Sequence, residues 1–117
     1  MTEEAVPGCP FCQIVGGKRP ANILHRDTQV TAFRDTNPQA PIHILVVSNR
    51  HIRSLAEAQA EDAPLLGMLL SSAAEIAQQE GLASYRIVIN NGSEAGQSVW
   101  HLHLHLIGGR RMHWPPG

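Results

Sequence analysis

Read for hydrophobic and polar positions, the chain is a series of short apolar runs between turn residues, with one long amphipathic stretch in the middle. Ile23 to Arg26 and Gln29 to Arg34 flank Asp27-Thr28 and predict a two-stranded hairpin. Ile42 to Val47 is β-branched and apolar, as a central strand requires. From about Glu61 to Glu80, Leu65, Leu66, Leu69, Leu70, Ala73, Ile76 and Ala77 recur at spacings of three and four, which predicts a helix ended by Gly81. Tyr85 to Asn90 predicts a buried strand, and Val99 to Ile107 the last one. Cys9 to Val15 predicts one or two helical turns stopped by Gly16-Gly17. Strands paired mostly in sequence around one long helix imply an α+β fold, an antiparallel sheet of about five strands with a short N-terminal helix. Residues 1–8 read as an N-terminal tail and residues 9–117 as a single domain that includes the C-terminal tail.

Charge and composition remove several functions. Nine Lys and Arg against ten Asp and Glu in 117 residues leave no polycationic surface, so neither nucleic acid nor an anionic membrane is an expected partner. No apolar run approaches the roughly 20 residues that span a bilayer. Met1 to Pro7 is short, acidic and without the apolar core of a signal or transit peptide, so a soluble, cytoplasmic protein is expected. In that compartment, Cys9-x-x-Cys12 has three readings: half a zinc site, a redox pair, or packing of two small apolar thiols. A thioredoxin-like redox pair should follow a strand, and no strand precedes Cys9. Seven histidines nearly match all Lys and Arg together, and histidine is the side chain suited to acid–base, nucleophilic or metal chemistry near neutral pH.

Three of them alternate with leucine in His101-Leu102-His103-Leu104-His105-Leu106. In a strand, successive side chains point to opposite faces, so the imidazoles are expected on one face, about 7 Å apart, with the leucines in the core. A His-x-His strand also presents two nitrogens to zinc. A catalytic zinc site adds a further ligand and a general base, and no His-x-Glu or Asp-rich segment accompanies these histidines. The preceding loop, Asn90 to Ser98, carries two glycines and small polar residues that can turn N–H groups and hydroxyls toward an anion. It lacks the Gly-Lys pair of a Walker loop.

The run Gly96-Gln97-Ser98-Val99-Trp100-His101-Leu102-His103-Leu104-His105-Leu106 resembles the histidine-triad motif of the HIT superfamily. The tail from Gly108 to Gly117 and the segment Asp35 to His43 resemble its Hint branch, the histidine-triad nucleotide-binding proteins. The likeness runs from about Phe11 to Gly117. It implies a homodimer that binds purine nucleoside monophosphates and hydrolyses their phosphoramidates, such as AMP joined to an amine. On the matching positions, His103 is the nucleophile and forms a nucleotidyl-imidazole intermediate that water cleaves. His105 holds phosphate oxygens, while His101 and His43 orient the imidazoles. Ser98 serves the leaving amine, Asn90, Gly96 and Gln97 surround phosphate and ribose, and Asp35 accepts from the ribose hydroxyls. Phe11, Ile14 and Phe33 wall the base pocket, and Trp114 reaches the neighbouring subunit's site. The resemblance to bacterial relatives with Cys-x-x-Cys implies structural zinc on Cys9, Cys12, His51 and His101, with no metal required for catalysis.

Two positions depart from the family pattern. Thr36 stands by the nucleoside where relatives often have an aliphatic residue, and Trp100 stands where Tyr or Phe is usual. Other functions weighed against this reading are a nucleotide-binding or partner-binding module with incidental hydrolysis, a metallohydrolase, and a dinucleoside polyphosphate hydrolase. The Trp114-Pro115-Pro116-Gly117 ending disfavours the last. His25 and His113 have no assigned role.

Overall fold

Alternation of apolar side chains gives each central strand two buried faces, and a different helix covers each. The computed structural model describes residues 5–117, in the order α1 (Pro10–Val15), β1 (Ile23–Arg26), β2 (Val30–Arg34), β3 (Ile42–Ser48), α2 (Ala63–Gln79), β4 (Tyr85–Val88) and β5 (His103–Gly108). The five strands form one antiparallel sheet, ordered β1-β2-β3-β5-β4. The expected α+β class is borne out. Residues 1–4 of the expected N-terminal tail lie outside the described residues. No helix among those described is long and apolar enough to cross a membrane.

Register decides which residues share a face. Ile44 pairs with Leu106 and Val46 with Leu104, and these four, with Val30 and Ala32, pack under Leu69, Ala73 and Ile76 of α2. On the opposite face, Phe11, Cys12 and Ile14 of α1 pack on Phe33, Leu45 and Val47.

Strand β4 ends at Val88, two residues short of the expected Asn90, and at the edge of the sheet it is exposed at Tyr85 and half-buried beyond it instead of buried. Three other differences from the pattern have local causes. Helix α2 starts at Ala63, after a 3₁₀ turn at Ala60–Asp62, because Pro64 favours a first-turn position and the Asp62 carboxylate accepts from the Gln59 N–H at 2.8 Å. Strand β2 starts at Val30, because Asp27 Oδ1 accepts from the N–H groups of both Gln29 and Val30 at 2.8 Å and shapes the hairpin turn. Asp27→Ala is expected to cost about 1 kcal/mol, read as a lowered urea midpoint with an unchanged slope.

The third difference concerns the histidines. Strand β5 begins at His103, whose partner Val47 is the second-last residue of β3, so residues 99–102 have no continuing strand to pair with. The Leu102 N–H instead donates to the Ile52 carbonyl at 2.6 Å. His101 therefore precedes the strand and does not stand in a row with His103 and His105, as strict alternation predicted.

Candidate active site and metal centre

Leu102, Leu104 and Leu106 are fully buried beneath α2, which turns His103 and His105 of β5 to the face that α1 only partly covers. Their ring centroids are 5.0 Å apart. A cavity of ≈ 500 Å³ opens on that face. It brings together Phe11, Ile14, Phe33, Asp35, Thr36, His43, Ser98, His103 and His105, residues drawn from five separate stretches of sequence. The Phe11 ring meets Phe33 edge-on at 5.5 Å and His103 edge-on at 5.0 Å, giving the cavity an aromatic wall beside an imidazole.

The hydrogen bonds assign a tautomer to each imidazole. His103 Nδ1–H donates to the His101 carbonyl at 2.6 Å; a carbonyl only accepts, so Nε2 carries the lone pair. The Gln39 N–H donates to His43 Nδ1 at 2.9 Å, which places the His43 proton on Nε2. That proton is donated to His105 Nδ1 at 2.9 Å, and neutral His105 is then left with an Nε2–H donor. The two adjacent rings thus have opposite functions: His103 offers a lone pair and His105 a proton donor.

Both rings are held neutral. Burial, with the neighbouring His103 and His43 imidazoles, pushes His105 down to about 4, against a smaller upward pull from Asp35. Burial likewise holds His103 below the ordinary imidazole value, opposed by the His101 carbonyl and Asp35. Asp35 accepts from the Asn37 N–H at 2.8 Å, and its other oxygen lies 3.4 Å from His43 Nε2. Asp35, His43 and His105 also lie close enough to share an ion. Two of their donor atoms already form the His43–His105 hydrogen bond, which accounts for the grouping.

Behind this pair, Cys9, Cys12, His51 and His101 bring one ligand atom each within 4.8 Å of the others. His101 Nε2–H donates to the Ser48 carbonyl at 2.6 Å, leaving the Nδ1 lone pair toward the sulfurs. From His101 Nδ1, Cys9 Sγ is 3.3 Å away, Cys12 Sγ 3.6 Å and His51 Nδ1 3.3 Å; Cys12 Sγ lies 3.3 Å from His51 Nδ1. Ligands around a tetrahedral zinc ion stand about 3.5 Å apart, given its bond lengths. Four of the six separations match that spacing and all lie within 4.8 Å, so the donor set fits zinc. The Cys12 N–H donates to Cys9 Sγ at 3.3 Å and the Val6 N–H to Cys12 Sγ at 3.4 Å; burial pushes the Cys12 thiol up, partly opposed by the Val6 contact. No disulfide joins the two cysteines.

The remaining expected residues lie elsewhere. Gln97 is buried with its amide engaged by the loop: Oε1 accepts from the Gly92 N–H at 2.9 Å, and Nε2 donates to the carbonyls of Arg53 and Val99 at 3.0 and 3.1 Å. Gly96 has φ +102°, a conformation suited to glycine, and its Cα hydrogens face the Asn90 side chain. Neither of these two, nor Gln97, lines the cavity. Trp114 is 80% exposed beside the Arg86 guanidinium, outside this chain's own cavity. Residues not anticipated include Leu45 and Val99 in the cavity wall, and the Gln39 N–H and Ser48 carbonyl that orient the rings. Period two from His43 would have found Leu45; the backbone partners leave no mark on a sequence.

Together these features give the chain the fold of the HIT family hydrolases, of which one from Legionella pneumophila superposes with a TM-score of 0.92 at 46% identity, covering 94% of this chain and 100% of that one. The chain belongs to the HIT superfamily: residues 8–113 match the family described as scavenger mRNA decapping enzyme C-term binding. An uncharacterized HIT-like protein of Synechococcus elongatus is 49% identical over 118 residues, 100% of both chains. A 14 kDa zinc-binding protein of Zea mays is 46% identical over 110 residues, 92% of this chain and 86% of that one. A zinc-bound histidine triad family protein from Mycobacterium smegmatis has a TM-score of 0.76 at 30% identity, covering 88% of this chain and 76% of that one.

Proposed function

We propose that the chain is a Hint-branch enzyme, a cytoplasmic homodimer that cleaves the P–N bond of purine nucleoside 5′-phosphoramidates in two displacements. One observation carries this reading: His103 Nδ1–H is held by the His101 carbonyl at 2.6 Å, so Nε2 is the nucleophilic nitrogen of a ring lining a nucleotide-sized cavity. Its lone pair forms a bond to the α-phosphorus as the P–N bond breaks, and the amine leaves with a proton passed through the Ser98 hydroxyl. The His101 carbonyl then stabilises the cationic phospho-imidazole. Water attacks phosphorus, the Nε2–P pair returns to the ring, and the water's proton passes to solvent. His105 Nε2–H donates to a non-bridging oxygen throughout.

The base lies between Phe11, Ile14 and Phe33, with Thr36 near the nucleoside and Asp35 accepting from the ribose hydroxyls. Asn90, Gly96 and Gln97 shape the phosphate side through the loop that carries Ser98. Dimerisation is supported by β4, which ends the sheet with Tyr85 exposed, and would bring Trp114 to the partner's cavity. Cys9, Cys12, His51 and His101 hold a structural zinc; a closed four-ligand ion supplies rigidity and no bound water.

The reading is tested by amine release from an AMP-amide. Steady turnover that survives brief chelation is expected; absence of release overturns it. A pH dependence follows from His103, whose Nε2 lone pair is lost on protonation. Burial holds this ring below the ordinary 6.5, so the acid-side loss of kcat/KM is expected at a pH below 6.5. An acid limb centred at or above 6.5, after subtraction of non-enzymatic hydrolysis, contradicts this assignment of the ring.

A further inference from the structure

Ser98 and Val99 form a wall shared by two cavities. One is the histidine-lined cavity; the other, ≈ 420 Å³, lies across that wall and is bounded by Val6, Pro7, Arg53 and Trp100. The Arg53 guanidinium lies 4.5 Å over the Trp100 ring. Gln97 ties the Arg53 and Val99 carbonyls together, so the cationic side and the shared wall are held as one unit. Among the described residues no Asp or Glu lines this second cavity, and Glu57, 4.0 Å from Arg53, stands outside it.

We propose that the second cavity receives the departing amine, and that Arg53 stacked on Trp100 selects amines whose short arm ends in an anion such as a carboxylate. The inference rests on the phosphoramidate reading and deepens it. With phosphorus beside His103 and the leaving nitrogen beside Ser98, whatever the nitrogen carries extends past Ser98, into the space on the other side of the wall. That space has an aromatic face and a cation whose acidic neighbour, the exposed Glu57 at 4.0 Å, stands outside the lining, so the charge facing the cavity favours an anion. The guanidinium fork matches a carboxylate in two hydrogen bonds, and stacking on the indole restricts the fork before the ligand arrives.

The test uses two conjugates of equal size, AMP joined through nitrogen to glycine or to glycinamide, titrated against a His103→Ala variant so that binding is read without turnover. The glycine conjugate is expected to bind about fivefold more tightly at low salt, as a half-exposed ion pair allows, and the gap should narrow as salt rises. Arg53→Gln in the same background should bring the two conjugates together, and Arg53→Lys should keep part of the gap. The intact enzyme should show the same ratio in kcat/KM. Equal affinities in the His103→Ala protein, or a gap that survives Arg53→Gln, overturn the proposal. Turnover of unsubstituted AMP-amide tests the hydrolase reading separately, so failure of that reading leaves the binding comparison to decide this one.

Discussion

His103→Ala is expected to lower amine release from an AMP-amide by about 10⁴-fold or more, the scale seen when a covalent nucleophile is removed. Affinity for AMP should change only a few-fold, because the aromatic wall, Asp35 and His105 remain. His103 is also a packing residue, buried with its ring 5.0 Å from Phe11, so the variant should lose some stability. Unchanged AMP binding in the same sample separates loss of chemistry from loss of fold. His105→Ala should cost less, about 10²- to 10³-fold, because it removes a donor to the phosphate oxygens and leaves the nucleophile in place. An enzyme that keeps its rate without His103 contradicts the covalent route.

The second large effect concerns the metal. Zinc removed by prolonged chelation, or excluded by a Cys9→Ser/Cys12→Ser variant, is expected to lower stability by about 4 kcal/mol, the linkage expected when metal exceeds its dissociation constant a thousandfold. For a domain of this size that is a fall of about 10 °C or more in melting temperature. The ligands explain why the loss should reach catalysis too. His101 presents Nδ1 to the sulfurs while its own carbonyl accepts the His103 proton, so one residue belongs to both centres. Freed of its ligand role, His101 keeps the Ser48 carbonyl and its packing against Phe11 but loses the metal's hold on Nδ1, and the ring of His103 loses part of what fixes its tautomer. Native mass spectrometry of protein purified without chelator should show one zinc per chain. A metal-free sample with the same melting temperature as one reconstituted with zinc removes the structural role.

Much of this arrangement was legible in the sequence, for a local reason. Period-two alternation put Leu102, Leu104 and Leu106 in the core, and spacings of three and four put Leu69, Ala73 and Ile76 on one helix face. Both patterns report burial directly. The grouping of Cys9 and Cys12 with His51 and His101 depended on resemblance, since no local pattern links α1 to residues about 40 and 90 positions away. What escaped was set by neighbours in space. Alternation assumed that a strand continues to Val99, yet β3 runs out at Ser48, and His101 takes the Ser48 carbonyl instead of joining the row. Gln97 was placed beside the phosphate and ribose by resemblance, whereas the Gly92 N–H and the Arg53 and Val99 carbonyls claim its amide.

The central claim is that phosphorus changes partner twice, first to His103 and then to water. It is tested most directly by hydrolysing a single stereoisomer of an AMP-amide carrying one sulfur on phosphorus in isotopically heavy water. The configuration of the chiral thiophosphate product is then read. Two in-line displacements each invert the centre, so the product should show net retention. Net inversion means a single attack by water and contradicts a nucleotidyl-His103 intermediate.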